Sequence, residues 1–106
     1  KYGVFNQDYY SVEPYLRSIG IQKDDIVVSV PDPSPNVTLY LMNQIGFTEC
    51  YNSDNYNINY FAQNEKAKYL IVGDSSYFQN ELYKPFCLAE KKVGTYKSIS
   101  IFKLQE

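Results

Sequence analysis

The chain has 106 residues, 44% of them hydrophobic and 21% charged, with a net charge of −2. That is enough for one packed core and too little for two, and the mixed charges form no basic stripe of the kind nucleic acid requires. There is no histidine, which removes the usual general base near neutral pH, histidine-based zinc sites and every Ser–His or Cys–His pair.

The first predicted helix is "SVEPYLRSIG" (Ser11 to Gly20). Val12, Tyr15, Leu16 and Ile19 share one helical face. Ser11 is placed to cap the start, Pro14 falls in the tolerant first turn, and Gly20 suits the left-handed stop. "IVVSV" (Ile26 to Val30) is a β-branched run suited to a strand buried on both faces. The prolines of "PDPSPN" then forbid a continued strand. Ser34 is expected to cap a second helix carrying Val37, Tyr40, Leu41 and Ile45, with Gly46 ending it.

Phe47 to Tyr51 reads as a short second strand and "NSDNYN" as a polar loop. Ile58, Phe61 and Ala62 open a third helix that ends near Lys66. Tyr69 to Val72 is the second clear strand. Asp74, Ser75 and Ser76 offer caps to a fourth helix with Phe78 and Leu82, closed by Pro85. "CLAEKKV" and "SISIFKL" read as two antiparallel strands around "GTYK".

Strands alternating with helices imply right-handed crossovers. The expected fold is therefore a single α/β domain spanning residues 1–106. It is a three-layer, Rossmann-like or flavodoxin-like arrangement with a mostly parallel sheet of about four to five strands and a C-terminal antiparallel hairpin at one edge.

The runs "IVVSVPD" and "YLIVGD" both end in an acid. As parallel neighbours they would bring Asp32 and Asp74 to one carboxyl edge, where open α/β sheets bind ligands. Asp32, Ser34, Asp74, Ser75 and Ser76 are the candidate ligand rim, suited to a sugar hydroxyl or a cation such as Mg²⁺ or Ca²⁺. The competing account is that both acids only cap helices or turns, and it explains both positions without a ligand. No catalytic residue, cofactor site or metal site is assigned. Neither GxGxxG nor GxxxxGK[ST] is present, so no dinucleotide or triphosphate site is expected. Asn36 to Thr38, "NVT", matches the glycosylation triplet but falls in a helical turn.

Tyr9 and Tyr10, with Tyr51, Tyr56 and Tyr60, are a candidate aromatic contact surface, against the alternative that half are core. Cys50 and Cys87 are expected at opposite edges of the sheet, too far apart for a bridge, and so as two free, mostly buried thiols.

The stretch "GIQKDDIVVSVPDPSPNVTLYLMNQIGFT", with "AKYLIVGD" and "SISIFKL", resembles the soluble C-terminal region of bacterial polytopic membrane glycosyltransferases similar to the dolichyl-phosphate-mannose-protein mannosyltransferase group. The resemblance implies a parent that transfers sugar from a lipid-phosphate donor, with its catalytic acid in a membrane portion absent from this sequence. It implies that this chain, which opens on Lys1 rather than Met, is an excised, non-catalytic accessory domain on the periplasmic side of the inner membrane. Its partners would be the membrane portion of the parent and a carbohydrate or protein acceptor. A free-standing ligand-binding module using the Asp32/Asp74 rim is the alternative, and a metal-assisted enzyme using those carboxylates a third.

Overall fold

A computed structural model describes residues 6–32, 37–48 and 57–105. Five strands form one sheet: β1 Ile26–Val30, β2 Ile45–Thr48, β3 Tyr69–Val72, β4 Lys92–Tyr96 and β5 Ile99–Lys103. Three six-residue helices accompany them, α1 Glu13–Ser18, α2 Val37–Met42 and α3 Ile58–Gln63. Short 3₁₀ turns complete the described chain at Gln7–Tyr10, Ser75–Gln79, Lys84–Phe86 and Ala89–Lys91.

The strand order is β2-β1-β3-β5-β4. β1 pairs in parallel with β2 and with β3, whereas β5 runs antiparallel to both β3 and β4. The sheet is thus mixed, and this corrects the expected mostly parallel, Rossmann-like or flavodoxin-like sheet. The physical reason lies after β3. Residues 74–86 do not make a crossover helix: Asp74 and Asn80 turn their side chains onto the backbone N–H groups of Ser76 and Leu82, both at 2.9 Å. Pro85 then interrupts any helix beyond Leu82. Asn and Asp side chains that bond their own backbone favour turns over helix. The chain returns to β3 through the hairpin, with Tyr69 opposite Lys103 and Val72 opposite Ser100.

Both sheet faces are covered because strand residues alternate. Val27, Ile71, Ile99 and Ile101 point to one face, where Tyr9, Val12, Leu16, Ile21, Leu39 and Met42 pack on them. Val28, Val30, Leu70, Val72 and Phe102 point to the other, under Ile58, Phe61, Ala67 and Tyr83. Each fully buried aliphatic side chain contributes about 1.5–3 kcal/mol relative to exposure. Phe47 and Phe61 stack at 4.2 Å between ring centroids and tie β2 to α3.

Element ends differ from expectation in instructive ways. Asn43, not Gly46, ends α2: it takes a φ of 54°, and the Gln44 N–H returns to the Leu39 carbonyl at 3.0 Å. Gly46 lies inside β2, where a Cβ would collide with the carbonyl oxygen of Val27. Ser11 does not cap α1; Val12 holds the cap position with no side-chain hydrogen bond. Gly20 does take the left-handed conformation, at φ 97°. β4 starts at Lys92, so the expected strand beginning at Cys87 is a 3₁₀ turn followed by a later strand.

Arg17 joins α1 to the end of α2. Its guanidinium donates to the Ile21 carbonyl (3.0 Å), Gln44 Oε1 (2.7 Å), the Met42 carbonyl (3.0 Å) and the Asn43 carbonyl (2.9 Å). Glu13, one turn earlier, pairs with it at 3.2 Å.

Candidate functional site

β1 and β3 lie side by side in parallel, with Val30 opposite Val72. Asp32 and Asp74 each follow that pair by two residues and so emerge at the same edge. β2 and β3 flank β1 on opposite sides, so the crevice between β1 and β3 lies where consecutive connections diverge. Open α/β sheets bind ligands at such a point.

The two acids do different work there. Asp32 is buried, at 3% exposure, and its Oδ2 accepts from the Thr38 N–H at 3.1 Å and from the Thr38 hydroxyl at 2.9 Å. It tethers the start of α2. Asp74 is exposed and accepts from the Ser76 N–H at 2.9 Å, capping the 3₁₀ turn Ser75–Gln79. Ser75 and Ser76 are exposed on that turn. Ser34, like Asn36, Cys50, Tyr51 and Tyr56, lies outside the described residues. The edge therefore gathers Asp32 and Asp74, but one carboxylate faces inward to α2 and the other caps its own turn. The capping account of both positions has direct contacts behind it.

What occupies the crevice is the chain itself. Tyr9 is 1% exposed and lies against the backbone of Gly73, where a Cβ would come within 2.5 Å of the phenol oxygen. Asn6 Nδ2 donates to the Gly73 carbonyl at 2.9 Å and to Ser98 Oγ at 2.6 Å. Asp8 Oδ2 accepts from the Ser98 N–H at 3.2 Å and the Ser98 hydroxyl at 2.6 Å. Ser11 Oγ meets the Tyr96 hydroxyl at 2.8 Å. The turn before α1 is thus strapped to the β4–β5 turn across the carboxyl end of β3.

Sequence reasoning assigned none of Asn6, Asp8 or Ser98. The available signal was "NQD": Asn6 caps the first 3₁₀ turn by accepting from the Asp8 N–H at 2.9 Å. Tyr9 and Tyr10, grouped as one contact surface, separate. Tyr9 is core, and Tyr10 is 63% exposed. Tyr60 packs edge-on to Phe61.

Electrostatics follow the geometry. Burial raises the Tyr9 phenol above its ordinary pKa; the Ser29 hydroxyl opposes this and the Asp32 charge adds to it. Ser29 is near enough to act on the phenol, although among the described residues no hydrogen bond of good geometry reaches the Tyr9 hydroxyl. The Ser98 hydroxyl, then its N–H, hold Asp8 below the usual carboxylate range against some desolvation, with Lys97 adding to them. Cys87 is a half-buried free thiol whose pKa burial raises to about 11; it was expected to be mostly buried.

Among the described residues, no three His, Cys, Asp or Glu side chains gather to hold a metal, and no helix is long and apolar enough to cross a membrane. Two shallow grooves lie at the opposite end of the parallel strands. One, of about 290 Å³, is lined by Lys23, Asp24, Asn43, Gln44 and Ile45. The other, of about 350 Å³, is lined by Lys68, Tyr69, Val93, Lys103 and Gln105. Neither contains a candidate rim residue. No family model, curated protein or solved structure matches the chain.

Proposed function

We propose that the chain is a non-catalytic accessory domain on the extracytoplasmic, periplasmic side of a bacterial membrane glycosyltransferase-like protein, where it contacts the membrane portion and helps to position an acceptor. The resemblance of the segments from Ile19 onward supplies the context. The observation that supports a non-catalytic role is the crevice between β1 and β3. Tyr9 fills it, Asn6 and Asp8 strap it, and its two acids are bonded to Thr38 and Ser76. Carboxylates committed as caps are poorly placed for acid/base work, which needs a side chain within reach of a bound substrate's proton.

The test is made on the full reading frame. This reading expects hydrophobic segments of about 20 residues upstream of Lys1, and a topology reporter fused at the C-terminus that is active only outside the cytoplasm. It further expects Asp74→Asn to leave sugar transfer by the parent within about twofold. No spanning segment, a cytoplasmic reporter, or a loss of transfer of a hundredfold or more in Asp74→Asn at unchanged abundance would each contradict it.

A further inference from the structure

β4 closes one edge of the sheet, and no further strand among the described residues pairs with it. An edge strand presents backbone groups on which another chain can pair. In an antiparallel ladder these outward groups belong to alternate residues. Thr95 supplies one of them. Its register partner is Ser100, yet its N–H donates to the Tyr15 hydroxyl at 3.1 Å. Tyr15 reaches that N–H from α1 by lying across Gly94, where a Cβ would collide with its hydroxyl. The Tyr15 ring stands 5.5 Å from the Tyr96 ring between centroids, and the Ser11 hydroxyl meets the Tyr96 hydroxyl at 2.8 Å. The start of α1 and the residues before it thus close on two consecutive residues of the edge. The rest of β4 is protected by other means: a bulge between Lys92 and Gly94, and exposed lysines at 92 and 97.

We infer that Tyr15 is a lock on the β4 edge, which keeps it from pairing with β4 of a second copy of this chain. The strand's own sequence favours that occupant. Antiparallel self-pairing centred on Gly94 sets Val93 opposite Thr95 and Lys92 opposite Tyr96. Two exposed β-branched side chains then meet, and no lysine faces a lysine. In that pairing the Thr95 N–H donates to the Val93 carbonyl of the second copy, which is the bond the Tyr15 hydroxyl now takes. Each copy must give up its Tyr15 bond to pair, so the lock counts twice against the dimer.

The experiment compares the unaltered chain with Tyr15→Phe, which keeps the ring and removes only the hydroxyl, and with Gly94→Ala, which displaces the hydroxyl by a different route. Sedimentation equilibrium reads self-association, and isotope-filtered NOESY on a mixture of labelled and unlabelled chains reads where the copies meet. The lock predicts that both variants dimerise about tenfold or more tighter than the unaltered chain, since each of two copies is relieved of one hydrogen bond. It predicts cross-chain contacts confined to Val93, Gly94 and Thr95, and faster Thr95 amide exchange in dilute Tyr15→Phe with β1 and β3 still protected. Variants that associate no more tightly than the unaltered chain overturn the inference. So does association without cross-chain contacts at β4, which is the result expected if the substitutions merely loosen the fold.

Discussion

Arg17 and Lys68 show how much the setting of a cation decides. Arg17 reaches four acceptors on two segments besides Glu13, at 26% side-chain exposure. Lys68 makes a 3.0 Å pair with Asp25 at 57% exposure. Arg17→Ala strips partners from carbonyls at the end of α2 and is expected to cost about 2 kcal/mol. Lys68→Ala is expected to cost clearly less, because its ammonium stands in solvent even though Asp25 is buried. Urea melts of the two variants test the ranking, and equal losses would contradict it. Asp8 gives a pH prediction. Its pKa is lowered in the folded chain by Ser98, so the unfolded chain takes up the proton first as pH falls. The strap's contribution is complete above the ordinary carboxylate pKa of about 3.9 and is lost as pH falls through the lower folded value. An NMR titration should place the Asp8 midpoint below about 3.9, and Ser98→Ala should move it up. A midpoint unmoved by Ser98→Ala would contradict the strap.

At the scale of elements, the β-branched strands were legible, and so were the parallel pairing of β1 with β3 and the antiparallel C-terminal hairpin; the antiparallel seat of that hairpin on β3, which makes the sheet mixed, was not. Ile26–Val30 and Tyr69–Val72 have the expected bounds because only a sheet buried on both faces suits such runs. Nothing in the run Ile99–Lys103 says that it pairs with β3 as well as with its hairpin partner β4. Its place beside β3 follows from the short turn at Lys97, which takes a φ of 52°, and from the absence of a full helix after Asp74 among the described residues. Gly46 misled for a physical reason as well. A glycine after an apolar stripe usually signals a helix stop, but here the absence of Cβ lets β2 approach Val27. Gly46→Ala should therefore destabilise by well over the roughly 1 kcal/mol of a typical point substitution, with the loss seen first as faster amide exchange in β1 and β2. Exchange that speeds up only in α2 would support the helix-stop role instead.

Over the whole molecule, the candidate rim was legible as a location and not as a function. Parallel neighbours ending in Asp placed Asp32 and Asp74 at one edge, yet sequence could not show that Thr38 and Ser76 would engage them. Adjacent tyrosines are indistinguishable in a sequence; Tyr9 is core and Tyr10 surface only because the turn that carries them crosses β3. Cys87 lies among partly buried residues packed on the α3 face. Its raised pKa and burial predict slow alkylation at pH 8 in the folded chain and fast alkylation in denaturant; equal rates would contradict the packing of that face.

A non-catalytic role depends on the chain's own first turn filling the place where a ligand would otherwise sit. A NOESY spectrum measures this directly. Strong cross-peaks between the Tyr9 ring and the Gly73 α-protons are predicted, with Tyr10 ring protons showing none. A Tyr9 ring without contacts to Gly73, and open to solvent, would contradict the filled crevice and with it the non-catalytic reading.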